Sequence, residues 1–305
     1  MKKVFLILFI AVVPLLAQNV TVVEDIAITT LTEGNFYYPS LSPDGTGILF
    51  SSESRKGLWF KNLSTGITTM ITDALGAGYE PGFNTGNGEI IYREDQFING
   101  KRISALVSYN VAMKKSLVLD EGIRDLKICR SNGSMSYYLK ETELHSINIQ
   151  NTLQKNSSSD LLVTVENSSI ILYENNKKRV LDPLGNGNYI WPSISPDKTK
   201  LVFTCMGKGT YISNLDGKIL AKLGYANYPS WSPDGNWIVF MKDIDDGVNV
   251  VSSDIYITDL KGGKYFNLTE NGDYISLYPK WGNSNSEIFY NTDNGQIRKI
   301  KLNYE

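Results

Sequence analysis

Cysteine and histidine are nearly missing from this 305-residue chain, which carries two of the first and one of the second. That scarcity leaves no His/Cys cluster of the kind that holds zinc and no cysteine framework of the kind that staples small secreted domains. Cys129 and Cys205 sit in the apolar, strand-like runs "LKIC" and "LVFTC", which read as two separate buried thiols. The single histidine, His145, lies in the strand-like "ELHSINIQ", and no Gly-x-Ser-x-Gly elbow occurs, so a Ser-His-Asp hydrolase site is not expected. An excess of charge is also missing: net charge is -2 at a pI near 5.7. A broad positive surface for phosphate backbones is therefore excluded, and nucleic acid is not an expected partner.

Long hydrophobic runs are limited to the start, "MKKVFLILFIAVVPLLAQ". Two lysines, an apolar run from Val4 to Leu16 and then Ala17 match the three regions of a secretory signal. Residues 1–17 are expected to be removed, leaving a mature chain from Gln18 with no membrane span, because the run is short against a span of roughly 20 residues and contains Pro14. No cysteine follows it, so a lipid anchor is not expected. The implied location is periplasmic or secreted.

Sustained helical periodicity is absent as well. From Val20 onward the chain consists of β-branched and aromatic runs broken by Gly, Asn, Asp and Pro, which is an all-β pattern. Three stretches repeat one grammar: "YYPSLSPDGTGILF" from Tyr37, "YIWPSISPDKTKLVF" from Tyr189 and "NYPSWSPDGNWIVF" from Asn227. The prolines Pro39, Pro81, Pro192, Pro229 and Pro279 follow the repeat, with neighbouring copies 42, 37 and 50 residues apart. That period fits one four-stranded propeller blade. In "SPDG" the proline presets the backbone, the aspartate bonds the local backbone and the glycine accepts a left-handed conformation, so these aspartates are turn chemistry and not catalytic suspects.

Within each first strand a large residue (Leu41, Phe83, Ile194, Trp231 or Trp281) stands next to a mostly small one (Ser40, Gly82, Ser193 or Ser230), with Lys280 breaking the pattern. Alternation places the two on opposite faces, as twisted sheets packed around an axis require. The region 122–188 has strand candidates but no aromatic-proline pairs; its length favours two blades and a total of seven, while "NTLQKNSSSD" read as an insertion would leave six. The last copy lacks a fourth strand, and "EDIAITTLTEG" near the N-terminus resembles the fourth strands of other copies. A single closed β-propeller over residues 18–305 is expected, its last blade completed by the N-terminal strand.

The repeats resemble the TolB-type propeller repeat, a relative of the Trp-Asp repeat family, over most of the chain after residue 17. The match is best at Tyr228 to Phe240 and Tyr38 to Phe50, and degenerate at Tyr79 and Tyr278. The resemblance implies a propeller that binds an envelope protein. TolB itself carries an α/β domain ahead of the propeller, and that domain is expected to be absent here. The repeats also resemble the propeller of prolyl oligopeptidase relatives, without the hydrolase domain that follows it there.

Two candidate sites come from the residues themselves. In "DIDDGVN", Asp243, Asp245, Asp246 and Asn249 form an oxygen-rich loop that misses the EF-hand spacing; it reads as a solvated acidic loop, and neither metal nor cofactor is expected. The residues before the repeat prolines, Tyr38, Tyr79, Trp191, Tyr228 and Tyr278, should gather around one mouth of the central channel, where aromatics with polar handles suit partner binding. Wedging between blades is the competing role for these rings. The function expected is non-catalytic binding, by a monomer, of an envelope protein or peptide, or of a glycan. The alternative is a hydrolase or lyase with a carboxylate site at the channel mouth.

Overall fold

The Ser-Pro-Asp turns build the scaffold. Ser42 and Ser232 accept the N–H groups of Gly45 and Gly235 at 2.9 Å through their carbonyls, while their hydroxyls donate to Asp44 and Asp234 at 2.5 and 2.6 Å. Gly45 and Gly235 have φ of 73° and 72°; Lys198 takes this place in the third copy at φ 58°. The Ser42 hydroxyl and the Thr46 N–H hold the Asp44 carboxyl below the usual carboxylate range, as a turn acceptor should be. Each turn joins the first and second strands of a sheet, so the hairpins repeat with the sequence motif.

In the computed structural model, which describes residues 19–84, 88–132, 135–141, 143–148, 161–174, 177–270 and 272–305, these hairpins extend into seven antiparallel sheets arranged as a seven-bladed β-propeller. Blade 1 runs from Tyr37–Leu41 to Thr68–Thr72, blade 2 from Gly82–Phe83 to Lys115–Ile123, blade 5 from Tyr189–Ile194 to Ile219–Gly224 and blade 6 from Asn227–Trp231 to Tyr265–Asn267, each with four strands. The region without aromatic-proline pairs forms two blades. Blade 3 begins with Lys127–Asn132 and blade 4 with Leu161–Glu166, and each shows three strands among the described residues. The tract 151–160, considered above as an insertion, lies outside the described residues, as does the expected signal segment.

Blade 7 combines Ser276–Trp281, Glu287–Thr292 and Ile297–Tyr304 with Val20–Ala27, which pairs antiparallel to the last strand from Val20 opposite Tyr304 to Ala27 opposite Arg298. Both chain ends thus share one blade, as the sequence predicts, and the last strand has no open edge. Blade 7 meets blade 1 through the buried cluster of Phe36, Ile48, Phe50, Phe289 and Ile297, which closes the ring.

The second strands are buried on both faces, and Gly47–Ser51 is buried at every position. This accounts for their continuous apolar spelling, since a strand packed between two neighbouring blades has no solvent face to mark with polar residues. Trp231 shows how large first-strand residues act between blades: its indole N–H donates to the carbonyl of Ser193 in blade 5 at 3.1 Å. The small residue of one blade leaves room for the large residue of the next. No helix among the described residues is long and apolar enough to cross a membrane.

Candidate functional site at the channel mouth

A cavity of about 780 Å³ occupies the ring axis and is lined by the first strands of all seven blades. Tyr38, Tyr79, Trp191, Tyr228 and Tyr278 all line it. Four of them form a continuous wall: Trp191 and Tyr228 have ring centroids 5.5 Å apart, Tyr228 and Tyr278 5.1 Å, and Tyr278 and Tyr38 4.6 Å. Burial pushes the Tyr278 phenol up, with Tyr38 adding to the shift.

The local cause of this convergence is a bulge. The residues directly before the five repeat prolines adopt left-handed backbone: Tyr38 at φ 60°, Glu80 at 51°, Trp191 at 52°, Tyr228 at 56° and Tyr278 at 53°. In blades 1, 5, 6 and 7 the pairing register shifts at this point, between Tyr37 and Ser40, Ile190 and Ser193, Asn227 and Ser230, and Leu277 and Lys280. A proline has no N–H to give to a ladder, so it fits where pairing is interrupted. The preceding side chain is then turned out of the strand's ordinary alternation. Non-glycine residues rarely hold this conformation, at about 1–3 kcal/mol each, and the cost is met by contacts such as Tyr38 N–H donating to Asn291 Oδ1 at 3.0 Å.

Blade 2 departs from the repeat. The residue with the left-handed backbone is Glu80, and Tyr79 precedes it by one, 45% exposed. Tyr79 lies instead between two guanidinium groups, that of Arg93 4.4 Å and that of Arg55 5.2 Å from its ring centroid. Arg55 comes from the loop between the second and third strands of blade 1. It stacks 3.6 Å from the Tyr38 ring centroid and donates to the Gly78 carbonyl at 3.0 Å. Burial works to lower the Arg55 pKa, but Tyr228, Tyr38 and Glu80 carry it above its ordinary value. Burial lowers that of Arg93, against the pull of Asp95 at 3.1 Å.

Arg55, Arg93, Lys127 and Lys280 all line the cavity, with Glu80 as the one carboxylate among the described lining residues. Sequence reading names the aromatics but not this charge. Lys280 carries a visible signal, the break in the small-residue pattern; its ammonium is 5.3 Å from the Tyr228 ring centroid. Arg55 and Arg93 have no counterpart in other copies of the repeat, and only the fold brings them to the axis.

The other candidates lie elsewhere. His145 stacks on Tyr138 at 5.5 Å within blade 3 and does not line the cavity. In the acidic loop, Asp246 accepts the N–H groups of Val248 and Asn249 at 2.9 and 2.8 Å, and Asp243 accepts from Tyr225 and Asn227. Its carboxylates thus hold a turn at the tip of a hairpin. Cys205 is a free, buried thiol, and the Cys129 side chain lies outside the described residues.

No family model and no curated protein sequence matches the chain. Solved structures similar to it include an oligogalacturonate lyase in complex with manganese, at TM-score 0.51 and 14% identity over 88% of this chain and 78% of that one. TolB from Acinetobacter baumannii gives TM-score 0.49 and 17% identity over 76% and 54%. An oligogalacturonate lyase from Vibrio parahaemolyticus gives 0.47 and 11% over 90% and 79%. At such identities the likeness is one of fold.

Proposed function

We propose that the protein is an exported, non-catalytic binding module of the cell envelope, acting as a monomer, that holds a protein or peptide partner at the mouth of its channel. The observation that carries this reading is the convergence of Tyr38, Trp191, Tyr228 and Tyr278 into one wall of a single cavity, although they are dispersed through the sequence. Four strained backbone positions devoted to presenting aromatic rings fit a recognition surface better than a packing device. The alternative reading, a hydrolase or lyase with a carboxylate site at the channel mouth, works most readily with paired carboxylates or a carboxylate-held metal. Glu80 stands without a carboxylate partner among the residues lining this cavity.

Affinity capture from an envelope extract tests the reading. The wild-type chain should retain a partner that the Trp191→Ala and Tyr228→Ala variants lose, each weakened by about 2 kcal/mol or more. Folded variants that retain the partner at full affinity would refute the role of the wall. Fractionation with N-terminal sequencing checks export, with Gln18 as the expected first residue of the mature chain.

A further inference from the structure

The charge lining the cavity opposes that of the chain. Four cationic side chains face one carboxylate there, in a protein of net charge -2. Arg93 is paired with Asp95, yet its Nε, on a side chain only 9% exposed, has no hydrogen-bond partner among the described residues. Arg55 and Lys280 make no salt bridge among the described residues; Arg55 donates to the Gly78 carbonyl, lies by the rings of Tyr38 and Tyr79 and interacts with Tyr228 and, at longer range, Glu80, and Lys280 lies by the ring of Tyr228. This cationic excess lies between low-dielectric aromatic walls, where its attraction for an entering anion is screened less than in open water.

The rim adds a second, independent observation. In an antiparallel blade the loop between strands two and three lies on the same face as the start of strand one. Two of these hairpins are long: Ile90–Ile98 with Lys101–Asn110 in blade 2, and Trp237–Asp245 with Val250–Asp259 in blade 6. Lys242 to Asp245 run beyond Asn227, the last paired residue of the first strand, by about 13 Å at roughly 3.3 Å per residue. The tips expose apolar side chains, Phe97 at 65% and Ile98 in one, Ile244 and Val248 at 87% in the other. Apolar groups at the tips of projecting hairpins suit a protein surface. Sugar hydroxyls both donate and accept, and Asn, Gln and Asp, which suit that pattern, are not among the described residues that line the cavity.

We propose that the channel mouth takes an extended acidic peptide segment of a protein partner. Its carboxylates are held by Arg55 and Lys280, its apolar side chains lie on the Tyr38–Tyr278–Tyr228–Trp191 wall, and the body of the partner rests on the two hairpin tips. This deepens the reading of the protein as a binding module and rests on it.

The test uses the chain from Gln18 onward and three probes, followed by calorimetry and by tryptophan fluorescence: an acetylated, amidated peptide of alternating Glu and Leu, its Gln–Leu counterpart, and a short polygalacturonate. The Glu–Leu peptide should bind, weaken steeply with added salt, and exceed the Gln–Leu peptide at least tenfold in affinity. Lys280→Gln, which removes a cation without breaking a hydrogen bond to the backbone, should cost about tenfold, and Arg55→Gln at least as much. Equal binding of the two peptides, an unchanged affinity in K280Q, or no binding of the Glu–Leu peptide would overturn the proposal. Polygalacturonate that binds as tightly and competes would overturn it in favour of an anionic glycan. Partner capture by the wild-type chain would survive any of these failures, so the two readings fail separately.

Discussion

The Trp281 indole N–H donates to the carbonyl oxygen of Ser230, 3.2 Å away in the preceding blade. Trp231 makes the same bond to Ser193, so consecutive blades are joined at their inner strands by a side chain that is also buried against the neighbouring sheet. Replacing Trp281 with Phe keeps most of the ring area but leaves the Ser230 carbonyl without this donor, at a cost of about 1–2 kcal/mol. Trp281→Ala also opens a cavity and should cost about 3–5 kcal/mol. Chemical denaturation of the two variants separates the hydrogen bond from the packing.

The shared last blade yields a second expectation. Asp25, on the N-terminal strand, accepts from the buried Tyr290 hydroxyl at 2.8 Å and from Arg298 Nε at 3.0 Å. Asp25→Ala removes the acceptor of the Tyr290 hydroxyl and one of two acceptors of Arg298 Nε, which keeps the Tyr290 oxygen at 3.2 Å, and should lower stability by about 1–3 kcal/mol. Deleting residues 20–33 removes the whole strand and bares Ile297–Tyr304 as an edge. That truncation should melt lower than Asp25→Ala and associate with increasing concentration, as read by calorimetry and light scattering. An unchanged melting temperature would show that the strand does not close the ring.

Legibility in the sequence followed recurrence. The turns at Ser42, Ser195 and Ser232 and the aromatic-proline pairs recur because every blade solves the same geometric problem, and they disclosed the propeller, the shared blade and four members of the aromatic wall. What occurs once was not legible. Glu80 occupies the left-handed position that an aromatic fills elsewhere, so Tyr79 stands two residues before its proline where the other four rings stand one residue before theirs. Arg55 comes from a loop and Arg93 from a second strand, and nothing local marks either as facing the axis. Blades 3 and 4 have no proline bulge, which is why their boundary was faint and why the cavity wall there is built from Lys127 and Val163 to Val165 instead of rings.

Acid stability should report on Glu33, in the segment that leads from the N-terminal strand to blade 1. Burial alone pushes its carboxyl up, but the Lys61 ammonium, the Thr30 N–H and the Thr68 hydroxyl more than reverse this, and the pKa falls from 4.5 to about 2. Because the folded value lies below the unfolded one, the stabilisation is present above pH 4.5 and is lost as pH falls toward 2. With the carboxylate partly open to solvent, the contribution is about 1 kcal/mol. Glu33→Gln should be less stable than wild type at pH 7, and the gap should close between pH 4.5 and 2. A gap of constant size across that range would mean that the ion pair contributes nothing.

The backbone at Tyr228 allows strain to be separated from side-chain contact. Its φ of 56° is a conformation that glycine adopts freely and alanine does not. Both Tyr228→Gly and Tyr228→Ala remove the ring and its contacts with Trp191 and Tyr278, so both lose the same packing. They differ in that glycine relieves the left-handed strain while adding freedom to the unfolded chain, and the two effects oppose each other. At an ordinary strand position glycine would be the less stable variant by roughly 0.5–1 kcal/mol. Here the order should invert, with Tyr228→Gly more stable than Tyr228→Ala by about 1 kcal/mol in denaturant titrations. The same pair at Phe240, in a strand without positive φ, serves as the control and should keep the ordinary order. If Tyr228→Ala proves the more stable, the bulge carries no strain, and the chain bends its backbone at no cost where it presents this ring to the channel.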